Sequence, residues 1–322
     1  MDRTEILAQA GRWADADGSA ALATVIETWG SAPRAAGSLL AVSRRGGFVG
    51  SVSGGCVERA VIEAAQEAID DGRHRVLSFG VADADAWALG LACGGRIRVL
   101  VEPVARTPDF TEWEQAVAAG RPAVRATDLE TGSNTLRYPD DEAAAAVLAA
   151  DQAQLSADGR LFLNPFSPPL RLVLVGAVHI AEPLARMATI AGYAVTVVEG
   201  RRAFARAELF PDAALRAGWP AEILPDLGLD QRSAVITLTH DPKFDDGALA
   251  AALATPAFYI GALGSKKTHA KRLARLAVAG FDTAALARVH GPVGLDIGAG
   301  TPGQIAVAIL AEMTAVLHGR LS

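Results

Sequence analysis

The segment "LRLVLVGAVHIAEPLARMATIAGYAVTVVEGR", residues 170–201, leaves a chain few ways to fold. Its apolar run from Leu172 to Val175 suits a central parallel strand, buried on both faces. A tight turn at Gly176 follows, then a helical pattern that turns back at Gly192. Pro183 fits only the first turn of a helix, which sets its start near His179. Ala194 to Val198 form a second strand. A strand, a crossover helix and a second strand of this length imply parallel pairing.

Further units of the same kind follow. "SAVITLTHD" reads as a strand ending in His240 and Asp241, "DDGALAAALA" as a helix and "AFYIGALGS" as a strand. Together these units predict a Rossmann-like sheet. Glu199 ends its strand at the offset where a dinucleotide fold places an acid for ribose, and Gly176 takes the first place of the glycine fingerprint. Val178 and Ala181 stand where further glycines belong, and a valine side chain would crowd a pyrophosphate on the turn. The topology is therefore expected without ordinary nicotinamide-dinucleotide use.

The helix in "SKKTHAKRLARLAVAG" holds Ser265, Lys266, Lys267 and His269 in its first turn. A preceding glycine, a capping serine, free helix N–H groups and two lysines make an anion site at the sheet's C-terminal edge. The alternative is a basic, solvated helix face. In "GPVGLDIGAGTPGQ", Thr301, Pro302 and Gln304 fit a cap, a first helical position and a capping-box partner. The glycine-rich loop before them carries one acid, Asp296, and either wraps a ligand or merely turns.

The first half reads differently. "ALATVIETWG", "SLLAVS", "GFVGSVSGG", "RVLSFG" and "RIRVLVEPV" are strand-like. Between the third and fourth lies "SVSGGCVERAVIEAAQEAI", an amphipathic helix that opens out of a Gly54–Gly55 bend, with Gly72 as its stop. Cys56 is expected in its first turn. There the unpaired N–H groups and the macrodipole favour a thiolate, and Glu58 at helical spacing should point elsewhere. The alternative is a cysteine serving as a small buried hydrophobe. Cys93 also adjoins a glycine pair, in "LACGG", but leads into a strand. Residues 107–164 yield one helical pattern, "DFTEWEQAVAAG", an extended "PAVRATDLE", and "DGRLFLNPF", a turn into a strand. "NPFSPP", Asn164 to Pro169, is expected to be a rigid linker between two α/β domains.

Composition sets bounds. The 322 residues carry 36 acidic and 30 basic side chains, a net charge of −6, which disfavours nucleic acid and anionic membranes as partners. The first residues lack the apolar core of a signal peptide, and no apolar run is long enough to span a bilayer. Two cysteines make no disulfide framework. A cytoplasmic location is expected. Six scattered histidines, none paired at helical ligand spacing, argue against zinc.

The motifs "GSVSGGCVE", "LACGG", "GAVHIA", "THDPKFDD", "YIGALGSKKTHAKRL" and "GPVGLDIGAGTPGQIAVAILAE", in this order from about Ala21 to the last helix, resemble the xanthine dehydrogenase accessory protein family of XdhC/CoxI type. The resemblance implies an N-terminal domain with the cysteine motif, residues 1–164, and a Rossmann-like domain, residues 170–322. It implies a maturation factor for a molybdenum hydroxylase, of xanthine or carbon monoxide dehydrogenase type, rather than a turnover enzyme. Such a factor binds the molybdenum cofactor (molybdopterin), supports its sulfuration with a cysteine desulfurase, and delivers it to the apo-enzyme.

On that reading Cys56, as a soft ligand, contacts the metal or carries the sulfur. Gly54, Gly55, Cys93, Gly176, His179 and Asp296 surround the cofactor, and Ser265, Lys266 and Lys267 receive its phosphate. The alternatives are an NAD(P)-dependent oxidoreductase using the Rossmann-like domain, and a protein-binding chaperone without a ligand. The assembly is left open between monomer and homodimer.

Overall fold

Alternation along the strands decides how each half of the chain is layered. In a computed structural model, which describes residues 3–30, 34–80, 95–201 and 203–321, the chain divides into two compact units, Met1–Pro168 and Pro169–Ser322.

The first unit runs α1 (Arg3–Asp17), β1 (Ala20–Trp29), β2 (Leu39–Ser43), β3 (Phe48–Gly50), α2 (Glu58–Asp71), β4 (Arg75–Phe79), β5 (Arg96–Val104), α3 (Pro108–Ala118), β6 (Ala123–Asp128), β7 (Asn134–Arg137), α4 (Glu142–Ala150), β8 (Gln154–Leu155) and β9 (Leu161–Phe166). An antiparallel sheet in the order β3-β2-β1-β5-β4 carries most of it. Ala21, Ala23 and Val25 face one side and pack with Val61, Ala65, Ala68 and Ile69 of α2. Ala20 and Leu22 face the other, against Ile6, Leu7 and Ala10 of α1 and Trp113 of α3. This period of two, buried on both faces, makes β1 the spine of the unit. A second antiparallel sheet has the order β7-β6-β9-β8.

That second sheet corrects the expected linker. Asn164, Pro165 and Phe166 belong to β9, opposite Arg125, Val124 and Ala123 of β6. The units divide between Pro168 and Pro169, inside the last part of the expected linker. Beyond Leu163, β9 pairs with β6 alone, and an unpaired edge is where a strand tolerates proline.

The second unit runs β10 (Leu170–Val175), α5 (Ala181–Ile190), β11 (Tyr193–Glu199), β12 (Ala214–Ala217), α6 (Pro220–Asp226), β13 (Ser233–Thr237), α7 (Pro242–Leu253), β14 (Tyr259–Ala262), α8 (Lys266–Val278), α9 (Thr283–Ala287), β15 (Val289–His290) and α10 (Pro302–Leu317). Its sheet is parallel throughout, in the order β12-β11-β10-β13-β14-β15. Numbered within the unit this is 3-2-1-4-5-6, the doubly wound Rossmann order. Leu172 and Leu174 pack with α5 and α10, while Val173 and Val175 pack with α7. The reversal of strand order lies between β10 and β13, so ligands are expected at the carboxyl ends of these strands.

Helix α5 starts at Ala181, two residues later than expected, with Pro183 still in its first turn. No described helix is long and apolar enough to cross a membrane.

Candidate functional site

In the first unit the site begins where β3 stops. Gly50 has φ +91, and a Cβ there would collide with the Leu39 carbonyl, so the strand cannot continue with another residue type at that point. Residues 51–57 form a loop rather than the rest of the expected strand, and α2 begins at Glu58 with Val57 as its cap residue. Cys56 therefore stands two residues ahead of the helix, not in its first turn. It is half-buried and packs at the margin of the apolar cluster beneath α2.

Glu58 organises this loop. Its carboxylate accepts hydrogen bonds from the Ser51 hydroxyl (2.6 Å), the Val52 amide (3.2 Å), the Ser53 amide (2.9 Å), the Ser53 hydroxyl (2.5 Å) and the Gly55 amide (2.8 Å). The two hydroxyl oxygens in turn accept from the Gly54 amide (2.8 Å) and the Val57 amide (3.0 Å). Burial alone would raise the pKa of Glu58, but the bonds from Ser51 and Ser53 outweigh it and hold the pKa at about 2.

The expectation that Glu58 points away from the loop is thus corrected. Helical spacing fixes only where its Cβ leaves α2, whereas the five donors draw the carboxylate back. The amides of residues 52, 53, 55 and 57 are spent on Glu58 and Ser53, so they do not serve a thiolate. Gly54 (φ +78) and Gly55 (φ +119) hold left-handed conformations, and a Cβ on Gly55 would meet nothing within 4 Å. Gly55 thus leaves open space beside Cys56 in the chain. Cys93 lies outside the described residues. Among the described residues no three His, Cys, Asp or Glu side chains gather as a metal site.

In the second unit the candidate residues follow the strands at one sheet edge. Gly176 (φ +105) closes β10, and a Cβ there would lie 2.5 Å from Thr239 Cγ2, so glycine lets the β10 turn approach the segment after β13. Val178 packs into the core cluster, and His179 is exposed.

Glu199, at the end of β11, is fully committed. It accepts from the Ala177 amide (2.8 Å) and from the Arg201 amide (2.9 Å), Nε (2.8 Å) and Nη2 (2.8 Å). Burial pushes its pKa up, yet the bonds from Arg201 and Ala177 bring it below the ordinary range. The acid that a dinucleotide fold offers to ribose here ties the β10 turn to Arg201.

After β13, the Thr239 hydroxyl donates to Asp245 (2.7 Å) and Asp241 caps α7. His240 takes φ +59, uncommon for a residue with a side chain. Beyond β14, Ser265 caps α8 by accepting from the Thr268 amide (3.1 Å), as expected, and Lys266 and Lys267 are exposed in its first turn. The loop after β15 presents an exposed Asp296 and ends in the expected capping box at Thr301 and Gln304. The parallel sheet thus brings Gly176, His179, Ser265, Lys266, Lys267 and Asp296 to one edge. Cys56, Gly54 and Gly55 belong to the other unit.

Two participants escape sequence reasoning. One is Glu58, although two serines and a glycine pair upstream of a helix-opening acid supply the donors it needs. The other is Arg272, which lies on the buried face of α8 with Leu276. A charge at an apolar position of a helical pattern is the signal that could have found it.

The class these features define is a two-unit α/β protein, with a cysteine loop in one unit and a Rossmann-type sheet in the other. Residues 172–313 match the model of the XdhC Rossmann domain, and residues 13–80 that of the XdhC and CoxI family. Each of the two units thus carries a match to one of these models. It is 27% identical over 310 residues to a Bacillus subtilis (strain 168) protein named as a probable xanthine dehydrogenase subunit, covering 91% of this chain and 92% of that protein. It is 29% identical over 301 residues to the molybdenum cofactor insertion chaperone PaoD of Escherichia coli (strain K12), covering 93% and 84%. A crystal structure of a protein from Bacillus halodurans, described as a xanthine dehydrogenase, superimposes with a TM-score of 0.78 at 25% identity, covering 100% of this chain and 97% of that one.

Proposed function

We propose that the chain is a maturation factor for a molybdenum hydroxylase. It binds the molybdenum cofactor as cargo, supports its sulfuration with a cysteine desulfurase, and delivers it to the apo-enzyme in the cytoplasm, as a monomer or homodimer. A relative named as a molybdenum cofactor insertion chaperone, matched over most of both chains, supports the maturation role.

The observation that carries the residue assignment is the loop of Cys56. A soft sulfur donor stands on a backbone pinned by five hydrogen bonds to Glu58, beside a glycine that opens onto free space. A metal that arrives with ligands of its own needs one further soft donor, and Cys56 supplies it. The bound cofactor brings the molybdenum and its sulfur chemistry. The chain's residues hold, orient and shelter it. Gly54 and Gly55 give close backbone approach, and Cys93 is the second thiol near the cargo. Ser265, Lys266 and Lys267 take its phosphate at the start of α8. Gly176, His179 and Asp296 line the same sheet edge.

The test is a double substitution, Lys266→Ala with Lys267→Ala. Each charge-assisted contact contributes about 1.5–3 kcal/mol, so cofactor affinity is expected to fall by roughly tenfold or more per lysine. A folded double variant with undiminished affinity would remove the lysines from the site.

A further inference from the structure

Beside the start of α8 lies a pocket of about 230 Å³, lined by His240, Pro242, Asp245, Lys267, Thr268, Lys271, Arg272 and Arg275. It is smaller than the roughly 300–1,000 Å³ that houses a whole drug-sized ligand, so it suits the head of a ligand whose body lies outside. Its lining is cationic. Lys267, Lys271 and Arg275 stand at helical spacing on one face of α8, and Arg272 joins them. Against these, Asp245 lines the pocket and Asp246 neutralises Arg275 at 2.5 Å and 2.9 Å. Two positive charges are left uncompensated.

Arg272 points most directly to an anion. It is only 2% exposed, yet its Nε and Nη1 have no hydrogen-bond partner. Its Nη2 donates to the Leu263 carbonyl at 2.8 Å, and reaches the Asp245 carboxylate only at 3.4 Å. Burial raises the pKa of Asp245, against the opposing pull of the Thr239 hydrogen bond and the Arg272 charge. A buried guanidinium normally has its donors filled, because leaving them empty is costly. Gly264 precedes α8 with φ +144, and a Cβ there would lie 3.8 Å from Nη1. The guanidinium therefore faces the strand-to-helix turn, where free helix amides already favour an anion.

We infer that this pocket is a seat for a doubly charged phosphate group, such as that of a phosphate monoester, held by Lys267, Lys271 and Arg272 with His240 at its rim. The inference deepens the phosphate reading given above. It extends the seat from the exposed tip of α8 into the pocket, adding Lys271 and Arg272 to the residues named there.

The experiment uses the full chain and inorganic phosphate, so its outcome is independent of whether the cargo is the molybdenum cofactor. Phosphate binding is measured by titration calorimetry at low salt for wild type, Lys271→Ala, Arg272→Lys and the exposed control Lys243→Ala. Circular dichroism confirms the fold of each. Wild type is expected to bind phosphate, with Lys271→Ala and Arg272→Lys each weaker by tenfold or more and Lys243→Ala within twofold. Absence of phosphate binding to wild type, or equal affinity in wild type and a folded Lys271→Ala, would overturn the seat. Loss of cofactor binding with phosphate binding intact would count against the cargo and leave the seat standing.

Discussion

Replacing Glu58 by alanine is expected to destabilise the first unit by about 3 kcal/mol and to release the cysteine loop. Five donors converge on this carboxylate from residues 51, 52, 53 and 55, and the side chain is only 9% exposed. A hydrogen bond to a charged group contributes about 1.5–3 kcal/mol. The five do not add, because the freed loop can recover some water. For a unit of this size the loss lowers the melting temperature by roughly 6–12 °C. Amide exchange at Val52, Ser53 and Gly55 should accelerate by about a hundredfold, since local opening then costs less.

The pH dependence has a definite sign. The folded pKa of about 2 lies below the ordinary 4.5, so the stabilisation is complete above pH 4.5 and is lost as pH falls toward 2. Glu58→Gln should lack that acid-dependent component. Unchanged exchange at the three amides in a Glu58→Ala protein would contradict this account of the loop.

Glu199→Ala should weaken the second unit by about 3 kcal/mol. Breaking a buried ion pair from one side typically costs about 3–5 kcal/mol, because the remaining charge loses its partner. The lower end applies because the Arg201 side chain is 33% exposed and recovers some hydration. The substitution also strips the Ala177 amide of its acceptor and so loosens the turn after β10. Glu199→Gln should fall between wild type and alanine, since its amide oxygen can still accept from two of the four donors. Thermal unfolding followed through the second unit checks both. The same geometry predicts that NADH leaves the Ala177 and Arg201 amide resonances in place, because Glu199 has no free oxygen for a ribose. A cofactor-induced shift at those two amides would show that Arg201 yields to a nucleotide.

The second unit was legible because its signals are strong and local. The run from Leu172 to Val175, the reversal at Gly192 and the capping residues Ser265 and Thr301 each mark one element boundary, and each stands in the structure. In the first unit, β7 and β8 are short and half-exposed, and α4 is a nearly featureless alanine run, so no period separates them from loop. Tertiary pairing sets them, as it sets Pro165 inside β9. The site divides the same way. Glycine and cap positions were readable because they are backbone requirements. The directions of Glu58, Glu199 and Arg272 were not, because each side chain follows donors and acceptors that only the folded chain assembles.

Cofactor binding by the Cys56→Ala protein tests the central claim most directly. Cys56 stands on a pinned loop, and its sulfur is the soft donor offered to a thiophilic metal. The purified wild-type chain is expected to bind added molybdenum cofactor, and the bound cofactor to protect Cys56 from alkylation. Cys56→Ala should fold normally, because the Glu58 network involves no atom of the cysteine side chain, yet bind at least tenfold more weakly. A folded Cys56→Ala protein that binds the cofactor as tightly as wild type would contradict the claim.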